Sequence, residues 1–201
     1  MNSSREVLYH VTDTPFGRAL IACTPQGLAA LHFIDAAAPP DTKQVASILT
    51  GRFPLAAQLT RVDDSNPAMP QFQTIRSALM AGRDCSSVAL DFEGTPFQRA
   101  VWEYLRTIPC GETQSYLEVA RAIGKPRAYR AVANACAQNQ IAMAVPCHRV
   151  IQSDGSLGGY RWGISRKEMI LSFERTAASA HNGRLPSVAR PKKLVIETKV
   201  G

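Results

Sequence analysis

Pro146-Cys147-His148-Arg149-Val150 sets a thiol, an imidazole and a guanidinium in adjacent positions. A free thiol titrates near ~8.5 and is mostly protonated at neutral pH, so a nucleophilic cysteine needs a base or a positive charge close by. His148 and Arg149 are the candidates. On an extended backbone neighbouring side chains point to opposite sides, which keeps the His148 ring off the sulfur and leaves a bridging water to carry the proton. A histidine used in this way calls for a carboxylate on its other nitrogen, and Glu174 is the candidate. The chemistry open to this set is attack by sulfur on an electrophilic carbon. A buried structural cysteine next to a surface histidine fits the same five residues, and the pair alone does not decide between them.

Several elements must place that thiol. Ile141 to Val145 is an apolar run stopped by Pro146, so Cys147 is expected at the end of a rigid element. Three capping boxes stand around it: Thr95 to Gln98 with Pro96 in the first helical position, Ser115 to Glu118, and Ser165 to Glu168. They predict helices ending near Arg106, at Ile123 and near Arg175. The second carries the apolar stripe Tyr116, Val119, Ala120, Ile123 and stops at Gly124-Lys125-Pro126. A further helix is expected from Arg127, with Ala128, Ala131, Val132 and Ala135 inward and Arg127, Arg130 and Asn134 outward. Two short helices about a tight glycine turn, the second basic, make a helix-turn-helix, and an ordinary helical hairpin fits the same pattern. The alanines suit close approach to a duplex and suit tight helix packing equally.

The first 93 residues read as a small α+β unit. Val7–Val11, Arg18–Cys23 and Leu28–Ile34 are strand-like runs, separated by Thr14-Pro15-Phe16-Gly17 and Thr24-Pro25-Gln26-Gly27. Helical spacing covers Asp41–Arg52 and Met69–Arg83, and Val88–Phe92 returns to a strand. His10, His32, Cys23 and Cys85 match no compact zinc spacing, and lone His and Cys on apolar strands are usually core.

Composition narrows the class. Residues 1–93 carry a net charge of −2 and residues 94–201 a net of +9, so a polyanionic partner would meet the second part. Nucleic acid is the leading candidate, beside the plainer reading of a basic surface kept for solubility. No stretch approaches the ~18 apolar residues of a membrane span, and the N-terminus has no apolar leader, which points to the cytoplasm. Five cysteines without a C-x-x-C pair argue for free thiols. Residues 177–201 have a net charge of +4 and no periodicity, and are expected to form a basic, flexible tail.

The motif set as a whole resembles the O6-alkylguanine-DNA alkyltransferases, also called methylated-DNA–protein-cysteine methyltransferases. Pro146-Cys147-His148-Arg149-Val150 matches their active-site signature. Gly94 to Gln98 with Val101-Trp102, Ile108 to Thr113, Ser115-Tyr116, Ala122 to Pro126, Arg130-Ala131-Val132, and Gly158 to Gly163 with Lys167 fall in family order. The likeness is strong from Thr95 to Glu174, weak before it, and nearest to the alkyltransferase half of the Ada regulator.

The resemblance implies an N-terminal ribonuclease-H-like α/β domain over 1–93 and a mainly helical domain over 94–176 with a helix-turn-helix. Cys147 is then the acceptor that keeps the alkyl group of O6-alkylguanine, and of O4-alkylthymine, as a thioether, so each molecule acts once. His148 is the base reached through water, Glu174 orients it, and Tyr116 donates a proton toward the leaving base. Asn139 organises the hinge beside the site. Arg130 fills the gap left by a flipped nucleotide, with Arg127, Asn134, Ser115, Ala128 and Ala131 against the minor groove. Tyr160, Arg161, Trp162, Val150, Gly158 and Gly159 form the pocket. The partner implied is double-stranded DNA, bound by a monomer without sequence preference and with no cofactor.

This sequence also departs from the family. Thr24 and Ala29 stand where some members bind zinc, so no metal is expected. The cysteine cluster of Ada's separate zinc domain is missing, so its phosphotriester repair and transcriptional activity are expected to be absent. Gln140 follows Asn139 where many members have proline, and the bulk of Trp162 predicts slow reaction with large substituents such as benzyl. Two other classes compete: a damage sensor, whose known examples replace the cysteine, and a cysteine hydrolase, which turns over.

Overall fold

The computed structural model describes residues 6–35, 40–49, 53, 58–81 and 88–181. β1 (Glu6–Thr14), β2 (Gly17–Thr24) and β3 (Gly27–Ile34) form an antiparallel meander. The two Thr-Pro-x-Gly segments turn it as expected: in each, the threonine hydroxyl accepts from the backbone N–H two residues on, Phe16 at 3.2 Å and Gln26 at 3.3 Å. Gly27 is required by contact as well as by its φ of 144°, because a Cβ there would stand 2.3 Å from the Ala89 carbonyl oxygen. α1 (Thr42–Leu49) leads to β4 (Gln58–Arg61), which pairs parallel with β1 and completes the sheet order β3-β2-β1-β4. Sequence periodicity missed β4, whose four residues bury no side chain fully. α2 (Met69–Met80) places Met69, Phe72, Ile75 and Leu79 in the core.

Alternation along β2 divides its side chains between two cores. Ala19, Ile21 and Cys23 join α2 and the later helices, while Leu20 and Ala22 join Val45 and Leu49 of α1. The expected strand at 88–92 is a single bridge, in which Leu28 donates to the Ala89 carbonyl and accepts from Asp91 N–H, both at 2.9 Å. The remaining 50–52 and 82–83 of the two predicted N-terminal helices, Cys85, and 182–201 of the expected tail lie outside the described residues.

The second part is helical: α3 (Pro96–Leu105), α4 (Tyr116–Ala122), α5 (Tyr129–Ala137) and α6 (Ile164–His181). Thr95 and Ser115 form the expected reciprocal boxes with Gln98 and Glu118. The third box does not form, since α6 begins at Ile164 and Ser165 is already inside its first turn. α6 also runs on to His181, so residues 177–181 are helix rather than tail. Beyond the Ile123 cap of α4, Gly124 (φ 71°) closes the helix, with Gly124 N–H donating to the Arg121 carbonyl and Lys125 N–H to the Ala120 carbonyl, the paired bonds of a Schellman close. α5 starts at Tyr129, two residues later than expected, and buries Val132, Ala135 and Cys136. Ala131 is exposed rather than inward. The Trp102 indole N–H donates to the Ala135 carbonyl at 2.9 Å and locks α3 onto α5. Among the described residues no helix is long and apolar enough to cross a membrane.

Candidate active site

The apolar run Ile141–Val145 is built as turns, hung from the edge of the sheet. Leu31 of β3 donates to the Gln140 carbonyl and accepts from Ala142 N–H, both at 2.9 Å. Gln140 thereby gains from the sheet the rigidity that a proline would supply. Met143 is buried with φ 64°, and Ala144 N–H reaches back to the Ala142 carbonyl at 2.7 Å, a γ-turn in a costly left-handed conformation. A second turn about Pro146 brings Cys147 N–H to the Val145 carbonyl at 2.8 Å. Asn139, itself buried, closes the loop. Its side-chain oxygen accepts from Ile141 N–H at 2.8 Å, and its amide donates to the Val145 carbonyl at 2.8 Å and to Cys147 Sγ at 3.2 Å.

Cys147–Arg149 is a single 3-10 turn, not an extended segment, and that changes where its side chains go. His148 is fully buried and its Nε2 meets Glu174 Oε1 at 2.8 Å, while Nδ1 has no hydrogen-bond partner. Arg149 is not at the thiol. Its Nε and Nη2 fork onto Glu174, the shortest contact being 2.8 Å, and its Nη1 donates to the Ile108 carbonyl at 2.6 Å. Gly111 N–H adds a bond to Glu174 Oε2 at 3.3 Å. Lys167, fully buried, donates to the Val150 and Leu157 carbonyls. Two-residue β5 (Gln114–Ser115) pairs parallel with β6 (Val150–Ile151), so the start of α4 is tied to the end of the Cys147 turn. That bridge brings Tyr116 to the site.

Charge follows from this packing. Burial pushes the Cys147 thiol up to about 11, against the Asn139 hydrogen bond and the Lys167 charge that favour the thiolate. The resting sulfur is therefore protonated and needs a base. Burial lowers His148 below its ordinary 6.5 despite the Glu174 carboxylate, so the ring is neutral at pH 7 and able to take a proton. Burial raises Glu174, but its bonds to His148 and Arg149 outweigh that and hold it at about 2. Burial also lifts Tyr116 to about 12, which keeps its hydroxyl a donor.

A cleft of about 310 Å³ opens onto Cys147, lined by Tyr116, Ala133, Cys136, Ala137, Gly159, Tyr160 and Arg161. Arg161 Nη1 donates to the Ala137 carbonyl at 3.3 Å and joins the lip to α5. Of the expected pocket residues, Gly159, Tyr160 and Arg161 line this cleft; Gly158 backs onto the Tyr116 hydroxyl, and Val150 is buried behind. Trp162 is not in the lining. Its ring packs against Tyr160 at 5.1 Å, His32 at 5.7 Å and Phe33 at 6.2 Å, in the seam with the sheet. Arg127, Arg130, Ala131 and Asn134 are exposed, and Ala128 and Ser115 are half-buried. Sequence reasoning missed Ala133, Cys136 and Ala137, whose i, i+3, i+4 spacing was the available signal, and the anchoring roles of Arg149 and Lys167. Thr24 donates to Asp91 at 2.6 Å, and among the described residues no three His, Cys, Asp or Glu side chains gather as a metal site would need.

Residues 96–176 match the family described as 6-O-methylguanine DNA methyltransferase, DNA binding domain. The chain is 45% identical over 172 residues to the Escherichia coli bifunctional transcriptional activator/DNA repair enzyme Ada, covering 84% of this chain and 45% of Ada. It thus spans about half the length of such relatives. It is 36% identical over 166 residues to the Methanosarcina barkeri methylated-DNA–protein-cysteine methyltransferase, covering 83% of this chain and 96% of that one. Its fold is similar to the crystal structure of Mycobacterium tuberculosis OGT in complex with DNA, with a TM-score of 0.65, 35% identity, and coverage of 85% of this chain and 94% of that chain. With a relative matched over nearly its whole length, the chain belongs to the methylated-DNA–protein-cysteine methyltransferase family.

Proposed function

We propose that this protein repairs DNA by moving the alkyl group of O6-alkylguanine, and of O4-alkylthymine, onto Cys147, once per molecule. The observation that carries the reading is a buried thiol in the cleft wall, held by Asn139 and followed by a buried histidine locked on Glu174. His148 Nδ1 takes the thiol proton through a bridging water. The thiolate attacks the alkyl carbon, forming the C–S bond as the C–O6 bond breaks, and the bonding pair stays with the base. Tyr116 gives the leaving base its proton and is reprotonated from the imidazolium side through solvent. The net result moves the alkyl group to sulfur and the thiol proton to guanine. The alkyl carbon is itself the electrophile, so the step calls for no cofactor.

The O6 substituent lies on the major-groove edge of a stacked base, so the nucleotide must leave the stack before a thiol recessed in a cleft on a protein in the minor groove can reach it. In this reading α4 and α5 are a helix-turn-helix that enters the minor groove, with Arg130 in the vacated space. Arg127, Asn134 and Ser115 meet the backbone, and Ala128 and Ala131 allow close approach. Residues 1–93 are a ribonuclease-H-like domain and 94–176 the alkyltransferase domain of a cytoplasmic monomer. Slow reaction with benzyl substituents then rests on Tyr160, which Trp162 backs.

The test is a molar excess of duplex carrying one radiolabelled O6-methylguanine over protein, with the protein digested afterwards. One methyl per protein on the Cys147 peptide, with guanine restored, is expected. Binding without transfer makes the protein a damage sensor, and repeated turnover makes it a hydrolase. Either overturns the proposal.

A further inference from the structure

Tyr129 is the first residue of α5 and keeps 43% of its surface exposed. On a helix of 3.6 residues per turn, positions 129, 133, 136 and 137 fall on one stripe. Three of these, Ala133, Cys136 and Ala137, line the cleft onto Cys147. Tyr129 extends that stripe one turn beyond the lining residues, toward solvent. Its ring is not bare: the Arg130 guanidinium lies over it, with Cζ 5.6 Å from the centroid. The residues α5 buries, Val132, Ala135 and Cys136, all lie toward its later turns, and Tyr129 and Arg130 at its start are exposed. An exposed aromatic ring and a guanidinium at the rim of a pocket are the two group types that hold unstacked nucleotides, the ring by its flat face and the cation by charge.

The following rests on the alkyl-transfer reading above. We propose that Tyr129 binds the extrahelical nucleotide at the mouth of the cleft. When Arg130 moves into the duplex it uncovers the face of the ring, and that face packs against the deoxyribose of the nucleotide whose base occupies the cleft. The contact belongs to the sugar, so a free alkylated base does not use it. The ring makes the contact, so phenylalanine preserves it.

The experiment measures single-turnover methyl transfer to Cys147 from O6-methylguanine presented in a duplex, in a single-stranded oligonucleotide and as the free base. Wild type, Tyr129→Ala and Tyr129→Phe are compared. Tyr129→Ala is expected to lose roughly tenfold on both DNA substrates relative to the free base, at the low end of what an aromatic ring contributes when it stacks on a base. Tyr129→Phe keeps most of the wild-type rate. Unchanged rates in Tyr129→Ala overturn the proposal. Loss on the duplex alone overturns it too, because the ring would then serve only Arg130. Equal loss on the free base assigns the ring to the shape of the cleft and also overturns it. Failure of the wild-type protein to transfer methyl from any substrate is a separate result, which removes the alkyl-transfer reading and this proposal together.

Discussion

Among the described residues, the sheet part buries two polar side chains, Thr24 and His32, while the helical part buries five: Asn139, His148, Arg149, Lys167 and Glu174. The sheet is held by apolar contacts on both of its faces and by turns that satisfy their own hydrogen bonds. The helical part sets formal charges into a dry interior, an arrangement that seldom adds stability over an apolar core of equal volume. What it achieves is position. Every polar atom of the Glu174 carboxylate is engaged, so the His148 ring has one orientation. The sheet contributes to the same end, because its edge strand holds the loop that carries Asn139 and Cys147.

The largest expected break in this contrast is Glu174→Ala. It leaves Arg149 and His148 buried without their carboxylate and is expected to cost ~3–5 kcal/mol in urea unfolding, with loss of methyl transfer. A cost below ~1 kcal/mol would show the network to be solvated and the contrast to be false. Acid titration probes the same groups. His148 and His32 are depressed chiefly by burial, His32 to about 4, so the unfolded chain takes up their protons first. Stability is complete above pH 6.5, falls as pH drops below it, and falls again below 4.5 as unfolded Glu174 protonates, the last step ending near 2. Melting temperatures between pH 8 and 3 should trace that descent, and a flat profile would contradict it.

A smaller effect is expected where the two parts meet. Arg166 donates to the Phe16 carbonyl at 2.8 Å, to the Trp162 carbonyl and to Asp35 at 2.6 Å, and lies over the Phe33 ring. Arg166→Ala should cost roughly 1–3 kcal/mol and slow transfer by loosening the Trp162 segment behind the lip. Unchanged transfer at reduced stability would separate the seam from the site. The smallest change is Asp13→Asn. Its pair with Arg18 is 79% exposed on the aspartate side, and the expected loss is within ~0.5 kcal/mol by thermal unfolding.

Local rules recovered much of this architecture. The Thr-Pro-x-Gly turns, the Thr95 and Ser115 boxes, the stop at Gly124 and the core face of α2 each depend on a few neighbouring residues, and each appears where those residues stand. The errors lie where distant contacts override local preference. β4 exists because β1 offers an edge; 88–92 fails to extend because only Leu28 meets it. Ala131 faces outward because the packing of α3 on α5 sets which side of that helix is covered. Arg149 leaves the thiol because a 3-10 turn, and not an extended strand, carries Cys147.

Residue types alone carried the chemistry: a cysteine after proline, a histidine next to it, a glutamate late in the last helix and a basic second part, in an order shared with one family. Those are properties of covalent sequence and composition, and they survive any error in folding the chain on paper. Which nitrogen of His148 meets Glu174, why Arg149 guards the carboxylate, and that Trp162 stands in the seam while Tyr129 stays exposed were decided in three dimensions. Each depends on side chains far apart in the chain competing for one enclosed volume, and local propensity holds no record of that competition.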